Sequence, residues 1–495
     1  MRLPRRAASL AALAAAACFA GCKPVGPNYS RPQVTAPAAY GESGGADVFE
    51  PPPNPNGGAW QPASPSDGML RGAWWKVYND PELDRLEALV TPNNQNLRAA
   101  MQLYLAAHDA VAAARAQLYP TLSAGPSVSH NKLSAHRPLS TSSTSVNYND
   151  LVLSGQASWE PDFWGRIRRT VEAASANAQA SAADAATLDL AFHAELAQDY
   201  FELRGLDAQS QLLQSTVTDY ESQLDLTQKL LANGIGTDVD VAQARTQLQT
   251  LRAQLIDISQ ARAQLRHGLA TLVNLRAGQL ALPPAPSPSL TAHPLPQIPL
   301  GVPSQLVERR PDVAAAERRV AQANAGIGIA VSAFYPDITL GGAGGFESTH
   351  GGTWIQGPSA LWSLGAQATE LLFDAGQRRA LTSQAKHLYE AQAATYKATV
   401  LAAFNEVEDR LSDLRILGQE SAAERLAVAD AQRSLALSNQ RYQGGVTSYL
   451  EVLTAENTLL QNQRTLTDIE TRRHAASVGL VRALGGGWDV TQLPK

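Results

Sequence analysis

The sequence predicts an internally duplicated membrane protein of mixed α and β class. Three observations carry that prediction: one set of motifs occurs twice, paired segments alternate with period two, and helical stretches far exceed what a compact domain needs. Gly234-Ile-Gly-Thr-Asp-Val-Asp240-Val241 returns as Gly445-Val-Thr-Ser-Tyr-Leu-Glu451-Val452, which sets Asp240 and Glu451 211 residues apart. Gly165 maps onto Gly376 at the same offset, and Tyr119-Pro-Thr-Leu onto Tyr335-Pro-Asp-Ile at 216. A repeat of roughly 200 residues is too long for a solenoid and implies two copies of one domain.

The strands come from alternation. Leu153, Gly155, Ala157 and Trp159 share one face, with Ser154, Gln156, Ser158 and Glu160 on the other. In the second copy Trp362, Leu364, Ala366 and Ala368 oppose Ser363, Gly365, Gln367 and Thr369. Apolar outside and polar inside fits a membrane barrel around a wet lumen; a half-buried strand of a soluble sheet would alternate too. Strands are predicted over about 120–131, 150–160, 336–347 and 361–372, with a polar loop at 131–149.

The helices come from what is missing. Between Arg166 and Leu231 there is no Pro and one Gly, Gly205; between Gln377 and Gln443 again no Pro and one Gly, Gly418. Helices are predicted over about 166–232, 238–275, 377–443 and 448–484, the longer ones reaching roughly 100 Å. Leu248, Leu251, Leu255, Ile258, Leu265, Leu269 and Leu272 form a heptad seam that Arg262 interrupts. The glycines at Asn233-Gly-Ile-Gly and Gln443-Gly-Gly turn each long helix back into an antiparallel hairpin. Earlier, a helix is expected from Pro81 to Leu118 with a break at Thr91-Pro92, and later another beginning at Asp312 as N-cap.

The domain plan follows: 1–21 a secretory signal, 22–80 an extended segment, 81–276 the first repeat, 277–311 a Pro-rich linker, 312–484 the second repeat, 485–495 a tail. Arg2, Arg5 and Arg6 precede the short apolar run Ala7 to Ala20. Phe19-Ala-Gly-Cys22 resembles a bacterial lipobox, with Cys22 as the lipid-bearing residue, although Phe19 stands where Leu is usual. Loss of three arginines takes the formal charge from −5 to near −8, which gives no basic footprint for nucleic acid. No later stretch offers 18 apolar residues in a row, so a membrane span would have to be made of strands.

Closure then requires an oligomer. Four strands leave two open edges, which lipid does not tolerate. Two chains would supply eight strands and three would supply twelve; counting leaves both open, though an eight-stranded barrel is filled by its own side chains and a duct needs more.

Several motifs resemble one family over nearly the whole mature chain. They are Gly21-Cys-Lys-Pro-Val-Gly-Pro-Asn-Tyr-Ser-Arg-Pro32, Trp74-Trp75 and Arg309-Arg-Pro-Asp-Val-Ala-Ala-Ala-Glu317. Ala323-Asn-Ala-Gly-Ile-Gly-Ile-Ala330, Phe334-Tyr-Pro-Asp-Ile-Thr-Leu340 and Arg441-Tyr-Gln-Gly-Gly-Val-Thr-Ser-Tyr-Leu-Glu-Val-Leu453 continue the set. The chain resembles a TolC/OprM-like outer-membrane factor of the lipoprotein branch. The resemblance implies a homotrimer in the outer membrane: a twelve-stranded β-barrel continued by a long α-helical periplasmic barrel, with an equatorial α/β belt. It implies drug efflux, a periplasmic adaptor protein, an inner-membrane pump of the resistance-nodulation-division class, a palmitate-type lipid on Cys22 and no other cofactor.

The resemblance also implies the site residues. The tips Gly234, Gly236, Thr237, Gly444 and Gly445 would meet the adaptor, while glycine also serves turn geometry alone. Asp240 and Glu451, placed two turns from the tips, would line a periplasmic gate, with Tyr442 and Thr447 in the links that close it. Thr447 stands where some members carry Arg, so this position offers no salt bridge to Asp240, and Tyr442 hydrogen bonds or a cation from elsewhere must hold the closure. Both acids are equally at home as solvated residues near helix starts, favoured by the dipole. An enzyme is not indicated: the nine His are scattered, no nucleophile or phosphate-loop motif occurs, and Glu160 and Asp162 suit a strand-to-helix boundary. The alternatives are a lipid-anchored coiled-coil scaffold without a pore and an outer-membrane duct for type I protein secretion.

Overall fold

The computed structural model describes residues 23–37, 40–44, 72–136, 138, 144–283, 295–298 and 303–494. The signal segment and Cys22 lie outside the described residues. The described residues form these α and β elements in chain order: α1 Pro81–Asn93, α2 Gln95–Ala116, β1 Thr121–Leu133, β2 Val146–Trp159, α3 Arg166–Ala232, α4 Asp238–Leu272, α5 Pro303–Arg309, α6 Pro311–Ser332, β3 Asp337–Ser348, β4 Ala360–Thr369, α7 Gln377–Gln443 and α8 Tyr449–Ala483. They divide between two compact units. Described residues within 1–33, 103–181 and 316–396 form the first; those within 34–102, 182–315 and 397–495 form the second.

The first unit contains an antiparallel sheet in the order β1-β2-β3-β4. Residues directly opposite across an antiparallel pair share a face, so the register sorts the side chains. Leu122 opposes Ala157, Leu153 opposes Phe346, Trp159 opposes Leu340 and Gly342 opposes Leu364. One face is therefore apolar across all four strands. On the other, Ser123 opposes Gln156, Ser154 opposes Gly345, and Thr339 opposes Gln367. Within the sheet β1 and β4 are edges. Trp362 and Leu364 are about four-fifths exposed, a burial that this chain alone leaves unfilled.

Several expectations need correction. Residues 131–133 and 146–149, mostly polar, belong to strands and not to the loop, since Asn131 pairs with Tyr148 and Leu133 with Val146. A ladder is made by the backbone, so hydrophilic side chains do not end it. Pro92 does not break α1, because it falls in the last turn; the break is at Asn94, whose side chain accepts from the backbone N–H groups of Asn96 at 2.9 Å and Leu97 at 3.2 Å. Asp312 is not an N-cap. α6 begins one residue earlier at Pro311, a residue pre-set for the first helical turn. The 277–311 segment also holds the helix α5.

The second unit contains the hairpin ends. α3 and α7 are each 67 residues long, and α4 and α8 each 35. Leu248, Leu251 and Ile258 of α4 pack with Leu213, Val217 and Tyr220 of α3 and with Tyr449, Val452, Leu453 and Leu460 of α8. Arg262, which breaks the α4 seam, reaches the buried carboxylate of Asp207, which Arg204 also grips at 3.0 Å. Gly205 is a close-approach point, for a Cβ there would lie 2.2 Å from the Thr471 hydroxyl oxygen.

At the strand-to-helix boundary Asp162 caps α3, accepting from the N–H groups of Ile167 at 3.0 Å and Arg168 at 2.9 Å. Glu160 takes the Arg166 guanidinium in a two-pronged contact.

Candidate functional site

The two hairpin turns are built alike. Gly234 N–H donates to the carbonyl of Leu231 at 2.9 Å and Ile235 N–H to Leu230 at 3.0 Å. The equivalent bonds run from Gly445 to Tyr442 and from Val446 to Arg441, both at 2.9 Å. Gly234 has φ +73° and Gly445 φ +70°, the left-handed region that ends a helix at low cost only for glycine. Gly444 and Gly236 do not have positive φ; a Cβ on Gly236 would come within 3.1 Å of the Leu231 nitrogen. Ile235 and Val446 project at matching places and are both more than two-thirds exposed.

Past the turns the copies diverge. Thr237 is the N-cap of α4 and forms a reciprocal capping box with Asp240. The Thr237 N–H donates to the Asp240 carboxylate at 3.0 Å and its hydroxyl at 2.7 Å, while Asp240 N–H donates back at 3.3 Å. In α8 the N-cap Ser448 makes no such side-chain bond. Glu451 turns instead to Arg441, whose Nη1 donates to Oε1 at 2.7 Å, and to the Thr447 hydroxyl. Asp240 and Glu451 therefore lie in the first turn of their helices, not two turns away. The cation beside Glu451 is Arg441, from the last turn of α7; Asp240 has no ion-pair partner among the described residues.

An aromatic pair packs across the second hairpin, from the end of α7 to the start of α8. Tyr442 and Tyr449 lie with ring centroids 5.7 Å apart and tilted by 55°. Burial first, and then the charge of Asp240, holds the Tyr442 phenol above its ordinary range. Tyr449 is raised by burial, by Glu456, and in smaller part by Tyr442 and Asp240. Asp240 of the first copy thus faces the tyrosines of the second.

The structure sets Asp240 beside Tyr442 and Tyr449 and next to Thr237 of its own turn, and sets Glu451 beside Arg441 and Thr447 of the other turn; it shows no contact between Asp240 and Glu451 among the described residues. Sequence reasoning missed Arg441 as the partner of Glu451 and Tyr449 as the neighbour of Tyr442. Arg441 sat in a quoted motif, but a contact across a turn between residues ten apart carries no periodic signal. Among the described residues no group of three or more His, Cys, Asp or Glu could hold a metal ion.

The comparisons with known proteins agree on one family. Residues 88–275 and 302–486 match the profile described as Outer membrane efflux protein. The chain is 30% identical over 482 residues, covering 96% of each, to a probable efflux pump outer membrane protein, SepC, of Pseudomonas putida. It is 31% identical to the outer membrane protein OprJ of Pseudomonas aeruginosa, covering 90% of this chain and 93% of OprJ. It is 31% identical to the pyoverdine export outer membrane protein OpmQ of the same species, covering 86% and 90%. Among solved structures, the outer-membrane channel OprN superposes with a TM-score of 0.83 at 28% identity, covering 94% of this chain and 99% of OprN. VceC of Vibrio cholerae gives 0.77 at 27% identity, covering 84% and 99%.

Proposed function

The chain belongs to the outer membrane efflux protein family, and we propose that it is the outer-membrane channel of an efflux pump, working as a homotrimer. The observation that carries this is the four-stranded sheet with one apolar and one polar face and its own two edges, β1 and β4. Such a sheet is stable in lipid only when its edges meet those of other copies. Three copies give twelve strands, with the Ser, Thr and Gln face inward around water. The duplicated unit is 81–276 and 312–484, joined by 277–311, and the helical barrel is built from α3, α4, α7 and α8.

Asp240 and Glu451, six carboxylates in a trimer, set the electrostatics of the periplasmic closure. Arg441, Thr447 and the Tyr442–Tyr449 pair hold the helix ends. The turns at Gly234, Gly236, Thr237, Gly444 and Gly445 meet the adaptor, with Ile235 and Val446 as apolar contacts. A periplasmic adaptor and an inner-membrane pump complete the assembly, and Cys22 carries the lipid. Relatives named for toluene efflux, antibiotic efflux and pyoverdine export support small molecules rather than secreted proteins as cargo. The chain's chemistry is transport, without a catalytic step.

Reconstitution in planar bilayers tests the duct. Stepwise conductance is expected, rising in an Arg441→Ala, Glu451→Gln double variant. No conductance from either protein overturns the duct and leaves the lipid-anchored scaffold. Mass spectrometry of the mature chain tests the anchor: Cys22→Ser is expected to abolish lipid labelling.

A further inference from the structure

Glu456 occupies a place meant for an apolar side chain. Tyr449, Val452, Leu453 and Leu460 of α8 form the buried stripe that packs on α3 and α4, and a residue four positions after Val452 and four before Leu460 falls on that stripe. Glu456 is 9% exposed there. Its Oε2 is buried and has no hydrogen-bond partner among the described residues. The titratable groups that face it are Asp219 and Tyr220 from α3 and, on its own helix, Tyr449. Asp219 is an acid, so it opposes rather than neutralises the charge. From α4 and α7, no charged group among the described residues acts on Glu456. Burial first, then Asp219, pushes the Glu456 carboxyl up to about 7, with the Tyr220 hydroxyl offsetting a small part. At the duplicated position, Arg245 points to solvent, so the buried acid is peculiar to the second copy.

We propose that Glu456 is a proton-operated latch on the helix seam beside the hairpin turns. When it takes a proton from solvent, the neutral acid lets α8 pack against α3; when it gives the proton up, the carboxylate draws water into the seam and loosens it. A buried, unpaired carboxylate is costly, and local opening of the seam is the way to rehydrate it without unfolding the rest of the chain. The sign follows from the two states. The packed state holds the proton more tightly than the opened one, so packing is favoured fully below about 4.5 and that advantage is lost as pH rises toward about 7. An acidic exterior therefore tightens the seam. The latch acts on helix packing whatever the cargo, and stands or falls separately from the transport reading.

Amide hydrogen exchange on the purified full-length protein in nanodiscs, corrected for the intrinsic pH dependence of exchange, tests the latch. Protection across residues 449–460 is expected to fall on the order of tenfold per pH unit between about 5 and about 7, then level off. Glu456→Gln, a neutral side chain of the same shape, is expected to remove the slope and hold the protection seen at pH 5. Asp219→Asn, an exposed change that is safe for folding, is expected to move the levelling-off to lower pH. A flat wild-type profile, a wild-type slope in Glu456→Gln, or an unmoved profile in Asp219→Asn each overturns the latch. Should Glu456→Gln fail to fold, the wild-type and Asp219→Asn profiles decide between these outcomes.

Discussion

Arg441 and Glu451 tie the second hairpin turn to itself: the guanidinium at the end of α7 donates to the carboxylate at the start of α8 at 2.7 Å. The first hairpin has no such tie among the described residues: Leu230 stands at the place of Arg441, and Asp240 gives its carboxylate to the Thr237 cap. Both partners of the Arg441 pair are more than a third exposed, so the ion pair stabilises the fold by no more than about 1 kcal/mol. Its weight lies in turn geometry. Arg441→Ala is expected to leave the melting temperature almost unchanged while raising the open probability in planar bilayers. Unaltered single-channel behaviour would place the closure away from this turn.

Gly445 and Gly234 make a matched pair of predictions. Both have positive φ, and nothing among the described residues lies within 4 Å of a Cβ at either. Alanine at either position meets backbone strain of about 1 kcal/mol and no clash. The expected result is faster amide exchange confined to the turn, with assembly intact. Gly445→Trp is expected to assemble normally, because its side chain projects into open space, yet to abolish drug resistance by obstructing the adaptor. Wild-type resistance in that variant would remove the turn from the contact.

Gly345 is the opposite case. A Cβ there would lie 2.1 Å from the Leu153 carbonyl oxygen and 2.8 Å from Ser154 Cα. Since β2 and β3 join the two copies, Gly345→Ala has to push those strands apart, at a cost of about 3 kcal/mol or more. Loss of the heat-resistant oligomer band on semi-native gels is expected. Retention of that band at wild-type temperature would show that the sheet absorbs the methyl group.

His193 and Glu87 give the second unit a pH dependence. The His193 Nδ1 lies 2.5 Å from Glu87 Oε2 in a nearly solvent-free place, beneath the Trp75 ring at a centroid distance of 4.6 Å. Burial lowers the imidazole's affinity for protons, but Asp189 and Glu87 outweigh it and carry it from 6.5 up to about 9. The stability it contributes is therefore present below about 6.5 and lost as pH rises through about 9. Thermal unfolding is expected to occur at lower temperature at pH 9 than at pH 6. Glu87→Gln is expected to flatten that slope, and His193→Ala to cost about 3–5 kcal/mol by leaving Glu87 buried without its partner. A melting temperature independent of pH between 6 and 9 would show that His193 stays neutral.

By itself the sequence determined what is local and periodic. The 211-residue offset, the alternation that segregates Leu153 and Trp159 from Gln156 and Ser158, the proline-free helical runs and the glycine turns are properties of short windows. Covalent geometry turns such windows into strands, helices and hairpins whatever lies around them. The same logic erred where a window misleads, as with the polar ends of β1 and β2, where backbone pairing is indifferent to side-chain polarity.

Only the tertiary structure decided which partner each charged group takes. Asp240 and Glu451 are equivalent by duplication, yet one caps its own helix and the other reaches Arg441. The first copy has Leu230 where the second has Arg441, so Asp240 turns to its own Thr237 cap while Glu451 takes the guanidinium across the turn. Glu456 likewise reads as one more charged residue on a long helix until α3 covers it and leaves Asp219 as its charged neighbour. Distance and burial choose among partners that a linear sequence lists on equal terms, because electrostatic strength depends on separation and on how much water remains between the charges.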